Sequence, residues 1–214
     1  MLIKKLKDIL CYEFLKRLFD IIFVFLVIIP IAPVFIVIYI LIFFFDNGPV
    51  IFKQIRVGKN GIFFTIYKFR TMKFINNPQF DGLLNDISEG NKEYSRKNFK
   101  TTEINDSRIT KIGRLIRPIH LDELPQLFNV LKGDMSLVGP RPDVPVQKLD
   151  YRENFWNMRI SVMPGITGLA QLYPCEKLSQ RNNLDRLYVK KRSFLFDFNI
   201  LIKTVFKLFY FKSN

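Results

Sequence analysis

Zinc-type ligands are nearly absent: the 214 residues hold one histidine, His120, and two cysteines. Cys11 and Cys175 lie far apart and in no metal-like spacing, so they read as reduced thiols, neither a disulfide framework nor a zinc site. Acidic residues are also scarce. Nineteen Asp and Glu face 33 Lys and Arg, leaving a formal charge of +14. A chain this basic suits nucleic acid, an anionic membrane surface or small anionic substrates. Its basic residues are spread along the chain and no nucleic-acid-binding motif appears, which argues against nucleic acid as a partner. The 23 phenylalanines favour the membrane.

Charge is missing altogether from Ile21 to Phe45, "IIFVFLVIIPIAPVFIVIYILIFFF". At about 1.5 Å per residue a straight helix of this length would reach roughly 38 Å, enough to cross a hydrocarbon core of about 30 Å. The run is too long for a cleaved signal peptide and lacks its small-residue exit. Pro30 and Pro33 fall near the middle, where each removes a helical hydrogen bond and crowds the preceding turn, so a break or sharp kink is expected there. Both flanks are positive: Lys4, Lys5, Lys7, Lys16 and Arg17 before, and Lys53, Arg56, Lys59, Lys68 and Arg70 after. Positive flanks stay cytoplasmic. A re-entrant hairpin that enters and leaves by one face satisfies both flanks, whereas a spanning helix strands one of them. Proline-kinked spanning helices also exist, so the residues alone leave both topologies open.

Past this segment the pattern changes. "PVIFKQIRVGKNGIFFTIYKFRTM" reads as two strands around a tight primed turn at Asn60-Gly61, where both central residues need positive φ. Residues 73–105 are polar and short of aliphatics, and they read as a long variable loop. In "RITKIGRLIRPIHLDELPQLFNVLKG" the spacing of Leu124, Leu127, Phe128 and Leu131 predicts a helix with that face buried. Gly133 would stop it, and Pro125 would sit in its first turn. That places Asp122 and Glu123 at a helix N-terminus, where the dipole favours ionised carboxylates. Read alone, the pair is an acidic helix cap. The C-terminal stretch mixes aromatics with Lys190, Lys191, Arg192, Lys203, Lys207 and Lys212, as in an amphipathic helix lying at a lipid interface; a helix packed on the core is the alternative.

Chemistry on anionic substrates would need positive charge on phosphate oxygens and an oriented nucleophile. An ionised Asp can be that nucleophile, forming an acyl phosphate. Mg²⁺ would take carboxylate oxygens together with substrate phosphate. Arg141 lies between Pro140 and Pro142, and a guanidinium on so stiff a loop suits phosphate. Each feature is weak singly; their order along the chain is not.

"KRLFDII", "VIFKQIRVGKNGIFFTIYKFRTM", "DSRITKIGRLIRPIHLDELPQLFNVLKGDMSLVGPRP" and "MPGITGLAQL" follow one another, and from Arg17 to about Gln171 the chain resembles the bacterial sugar transferases, the monotopic phosphoglycosyl transferases. The resemblance implies an α+β, mainly helical fold. Residues 1–48 would form a re-entrant membrane helix broken near Pro30 and Pro33. Residues 49–214 would form a membrane-associated catalytic domain with a β-hairpin and C-terminal interfacial helices. It implies transfer of a sugar-1-phosphate from a UDP-sugar to polyprenyl (undecaprenyl) phosphate with release of UMP, a first membrane step of cell-surface glycan assembly. Asp122 would be the nucleophile and Glu123 its dyad partner, the two holding Mg²⁺. Lys68, Arg117 and Arg141 would face the phosphates. Arg17 and Asp20 match the family's Arg/Asp pair at the membrane surface. The implied place is the cytoplasmic face of a bacterial inner membrane, among membrane lipids; a homodimer is compatible with the family.

Departures are specific. Ala32-Pro33 replaces the family's Ser-Pro, and His120 replaces a small hydroxyl residue before the dyad. "LYPCEKLSQR" follows "GLAQ" where relatives often read "VNGR", a region expected near the nucleotide or sugar. With no further N-terminal spans in view, the chain reads as the minimal catalytic form. An inactive scaffold for later glycan enzymes is the competing reading; Asp122, Glu123, Arg117 and Arg141 all being in place counts against it.

Overall fold

The computed structural model describes residues 2–46, 48–73 and 106–210, so most of the expected polar loop, and Lys212, lie outside the described residues. The first element, α1, runs Leu2–Phe45, with Pro30 and Pro33 inside it. One stripe faces the rest of the chain: Asp20, Val24, Ile38 and Ile42 are buried. Most other side chains from Phe25 to Phe45, including Leu26, Ile29, Ile36, Val37 and Phe44, are exposed and apolar. No aqueous surface carries so continuous an apolar patch without a second environment to cover it.

The expected hairpin forms. Strand β1, Ile51–Val57, pairs antiparallel with β2, Phe63–Phe69, from Ile51↔Phe69 to Val57↔Phe63. Its turn differs from a two-residue connection: a 3₁₀ turn, Lys59–Gly61, closes it. The conformational demand is nonetheless the one read from the sequence, with φ of 56° at Asn60 and 80° at Gly61.

Two short helices follow, α2 at Lys111–Ile116 and α3 at Gln126–Lys132, with 3₁₀ turns at Arg117–Ile119 and Leu121–Glu123 between them. The acidic pair therefore precedes α3 by a tight turn, and Pro125 caps the helix where a first-turn position was expected. Gly133 ends α3 in the left-handed region as expected, with φ of 89°. The buried face also differs. Leu127 and Val130 are buried along with Gln126 and Asn129, whereas Phe128 is 44% exposed and meets the Phe35 ring edge-on at 5.8 Å. Asn129 explains its own burial: it accepts from the Tyr67 N–H and donates to the Thr65 carbonyl and to Asp134, tying α3 to β2.

Strand β3, Ser136–Val138, pairs in parallel with β4, Gly165–Thr167. Parallel pairing needs a crossover, supplied here by α4, Glu153–Ile160. The strands approach so closely that a Cβ on Gly165 would lie 2.1 Å from the Gly139 nitrogen. The glycines of "VGPRP" and "PGITGLAQ" thus meet each other. Helices α5 (Leu169–Leu172), α6 (Leu178–Lys191) and α7 (Phe194–Tyr210) complete the chain.

Two apolar clusters hold these elements. Val24 of α1 joins Ile66, Val130, Leu137, Val138 and Ile200 in the first, and Ile38 and Ile42 join Val50, Phe69, Ile112 and Ile116 in the second. Each fully buried side chain of this size contributes about 1.5–3 kcal/mol. Polar ties are as specific: Arg17 donates to the Val130 and Leu131 carbonyls at the end of α3, and Asp20 accepts from the Leu137 N–H. Lys16 and Tyr12 both donate to the buried Asp197 of α7.

Helix α7 combines the two readings offered for it. Asp197 and Ile200 are buried against the core, while Leu195, Phe198, Ile202, Val205 and Phe206 form an exposed apolar stripe. Lys207 corrects one expectation: it turns inward and donates to the Gln171 and Leu172 carbonyls, capping α5.

Candidate active site

The acidic pair sits at a strained corner. His120 adopts φ 56°, ψ 19°, a left-handed conformation uncommon outside glycine, and joins the two 3₁₀ turns. Its N–H donates to the Arg117 carbonyl, and its own carbonyl accepts from the Glu123 N–H. Leu121 and Leu124 on either side of the pair pack into the second cluster, so the turn is anchored from below. Asp122 is buried, and among the described residues its carboxylate accepts no hydrogen bond.

Glu123 is held. Its Oε1 accepts from Lys68 Nζ at 2.6 Å and from Arg141 Nη2 at 2.9 Å. Among the described residues its Oε2 accepts nothing. Burial opposes ionisation of Glu123, but the charges and hydrogen bonds of Arg141 and Lys68 outweigh it and bring its pKa down to about 2. Asp122 moves the other way: burial and the neighbouring Glu123 charge raise its pKa, against Lys68, Arg117 and His120. The dipole expectation treated both acids alike; tertiary contacts separate them. Lys68 is pushed down by burial and by Arg141, with Glu123 opposing.

Arg141 owes its place to a loop whose carbonyls are pinned in succession. The Pro140 carbonyl accepts from the Gly165 N–H at 2.9 Å, Arg141 from Arg159 Nη2 at 2.7 Å, Pro142 from Arg56 Nη1 at 3.0 Å and Asp143 from the Val57 N–H at 2.9 Å. Prolines at both flanks of Arg141 have no N–H that would seek a partner. The loop is thus fixed by β4, α4 and β1 together.

Lys68, Asp122, Glu123 and Arg141, anticipated from sequence, converge. Arg117 stands near enough to act on the Asp122 charge, and its buried Nη1 has no hydrogen-bond partner among the described residues. Pro30 and Pro33 lie apart from this site, within α1. Sequence reasoning missed Arg56, Asp143, Arg159, Arg181 and Asp185. Arg56 was within reach of it: strand alternation puts Arg56 on the hairpin face that carries Lys68, since Phe52 opposes Lys68 and Arg56 follows Phe52 by two strand repeats. Arg56 feels the Arg141 charge, and burial together with that repulsion lowers its pKa to about 10. For Arg159 and Asp185 no local signal exists, because the partners are 26 residues apart in the chain.

Counting charged side chains around the loop, Lys68, Arg56, Arg117, Arg141, Arg159 and Arg181 outnumber Asp122, Glu123, Asp143 and Asp185. Such an excess among partly buried side chains favours a polyanion. Among the described residues no cluster of three or more His, Cys, Asp or Glu could hold a metal by itself. The open Oε2 of Glu123 and the unbonded Asp122 carboxylate are a hard-oxygen pair of the kind that Mg²⁺ shares with substrate phosphate and water.

The family model described as bacterial sugar transferase matches residues 11–211. A UDP-glucose:undecaprenyl-phosphate glucose-1-phosphate transferase of Klebsiella pneumoniae is 39% identical over 207 residues, covering 92% of this chain and 41% of the relative. An undecaprenyl-phosphate galactose phosphotransferase of Salmonella typhimurium is 41% identical over 200 residues, covering 90% of this chain and 40% of the relative. An uncharacterized sugar transferase of Bacillus subtilis, EpsL, is 42% identical over 167 residues, covering 76% of this chain and 71% of the relative. The chain spans about two fifths of the length of the first two relatives. With residues 11–211 matched by that model, and with relatives of about two fifths identity covering nine tenths of the chain, the chain belongs to the bacterial sugar transferase family.

Proposed function

We propose that this protein transfers a sugar-1-phosphate from a UDP-sugar to polyprenyl phosphate, in the manner its relatives' names describe, through a covalent intermediate on Asp122. The observation that carries the proposal is the asymmetry of the dyad: Glu123 is neutralised by Lys68 and Arg141, while Asp122 is buried, raised in pKa and free of hydrogen bonds among the described residues. With no donor on it among the described residues, the Asp122 carboxylate keeps its lone pairs available for attack on phosphorus, whereas one Glu123 oxygen is already committed to two cations.

In the first step an Asp122 carboxylate oxygen attacks the phosphorus that bears the sugar. The bond to the bridging oxygen breaks and UMP leaves, so the phospho-sugar is held as an acyl phosphate. A phosphate oxygen of the polyprenyl acceptor then attacks the same phosphorus, which frees the Asp122 carboxylate and forms the lipid diphosphate sugar. Lys68, Arg117 and Arg141 would offset charge on the phosphates during both displacements. Mg²⁺, when bound by Asp122 and Glu123, would supply further neutralisation of phosphate charge. Incubation with a UDP-sugar and no lipid should release about one equivalent of UMP and add the mass of one phospho-sugar. Strict dependence of UMP release on lipid would defeat the covalent route. A panel of UDP-sugars in the same assay identifies the donor.

The proposal includes a re-entrant α1 on the cytoplasmic face of a bacterial inner membrane, serving the first lipid-linked step of a cell-surface glycan. Arg17 and Phe35 both reach α3. A straight helix would set them about 27 Å apart, whereas α3 is only about 10 Å long. That disparity supports a bend at Pro30 and Pro33, whose surroundings, Ile29 and Val34, are exposed. The apolar stripe of α7 would rest on the same membrane face. Reporter tags at residue 1 and in the turn at residue 60 should both resist reagents added from outside; labelling of either one would establish a spanning helix.

A further inference from the structure

Arg159 has no place in the motifs that mark the site, yet it is the most heavily committed cation among the described residues. Its side chain is 4% exposed. Nε donates to Asp185 Oδ2 on α6 at 2.9 Å, Nη1 to Asp143 Oδ2, and Nη2 to the Arg141 carbonyl at 2.7 Å. Its guanidinium also lies 5.5 Å from the Tyr151 ring centre. Asp143 is itself 2% exposed and takes a second, longer contact from Arg181 of α6 at 3.4 Å.

Stability by itself is a poor account of this arrangement. A buried ion cluster rarely outperforms apolar packing of the same volume, because desolvation offsets the attraction. What the cluster supplies is direction. The planar fork reaches three acceptors at fixed angles, which a lysine cannot do. Two of those acceptors belong to one loop, at Arg141 and two residues on at Asp143, and the third belongs to α6. Arg141 in turn supplies one of the two cations on Glu123.

We propose that Arg159 is a positioning residue: clamped by Asp143 and Asp185, it fixes the backbone of Arg141, and so the guanidinium that faces Glu123 and the phosphates, relative to α6. The inference rests on the transferase reading above and assigns Arg159 no contact with substrate. It also links the dyad to the helix that begins within "LYPCEKLSQR", the segment where this chain leaves its family pattern.

A double-mutant cycle on donor cleavage tests it, with the full chain in lipid particles and UMP release as the readout. Arg159→Lys keeps the charge and loses the fork. It should lower kcat/KM for the donor about 100-fold, as expected for an ångström-scale misplacement of a substrate-facing group. In an Arg141→Ala background the same change should cost less than about threefold, since nothing remains to be positioned. Equal factors in the two backgrounds would overturn the proposal, because a general structural role does not depend on Arg141. Should thermal unfolding show that Arg159→Lys does not fold, Asp185→Asn removes only the α6 partner and runs through the same cycle. A roughly tenfold loss confined to the Arg141 background supports the proposal, and additive losses refute it. A wild-type protein that releases UMP from no UDP-sugar would instead defeat the transferase reading.

Discussion

Asp122→Asn should leave a folded protein with no turnover. Asparagine is nearly isosteric, but its amide oxygen cannot open a phosphorus–oxygen bond to give a stable acyl phosphate. A loss of at least about 10,000-fold is expected, the scale at which nucleophile deletions act. Neither the UMP burst nor the mass adduct should form. Donor binding should persist, because Lys68, Glu123 and Arg141 hold one another without Asp122. Stability should be unchanged or slightly higher, since a buried carboxylate with no hydrogen bond among the described residues costs desolvation and returns little. A variant that still yields a phospho-sugar adduct would move the nucleophile to another residue.

The second large effect concerns a residue with no side chain. Gly165→Ala would place a Cβ 2.1 Å from the Gly139 nitrogen, 2.5 Å from the Thr167 oxygen and 2.7 Å from the Gly139 Cα. All three are backbone atoms of the β3–β4 pair, so no rotamer change relieves the clash. The strands must separate, and with them goes the Gly165 hydrogen bond to the Pro140 carbonyl that anchors the Arg141 loop. A loss above about 4 kcal/mol is expected, in the range reserved for named structural faults. Gly61→Ala is the control: φ is 80° there, but the nearest atom is a flexible Ile160 methyl at 3.7 Å, so about 1–2 kcal/mol should be lost. Thermal unfolding of the purified variants separates the two. Equal melting temperatures for Gly165→Ala and wild type would show that the parallel pair does not hold the loop.

The family motifs gain physical content from these contacts. "GPRP" is rigid because its prolines remove N–H groups and its carbonyls are taken by β4, α4 and β1. "PGITGLAQ" supplies glycines because Gly165 and Gly168 crowd the Gly139 backbone. "HLDELPQ" turns at His120, where this chain carries an imidazole on a left-handed residue. A side chain in that conformation points away from the turn, which is consistent with His120 being exposed and tolerated there.

Much was legible in the sequence because it is local. The apolar run of α1, the Asn60-Gly61 turn, the Gly133 stop and the acidic pair before Pro125 follow from neighbouring residues and the backbone conformations they allow. Lys68, Arg117 and Arg141 were legible through resemblance, since their order along the chain marks the family. What only the tertiary structure decided is how those groups act on one another. Adjacent carboxylates with one sequence environment acquire opposite pKa shifts because Lys68 and Arg141, 55 and 18 residues away, both settle on Glu123 and leave Asp122 buried. Lys207 turns inward to donate to two carbonyls at the end of α5, groups that a helix end leaves without an intrahelical partner. Arg159 meets Asp143, Asp185 and the Arg141 carbonyl only once α4, α6 and the loop have packed. Periodicity and turn chemistry report a residue's preferences within a few positions of itself. Charge coupling and burial depend on through-space distance, which is set when the elements assemble.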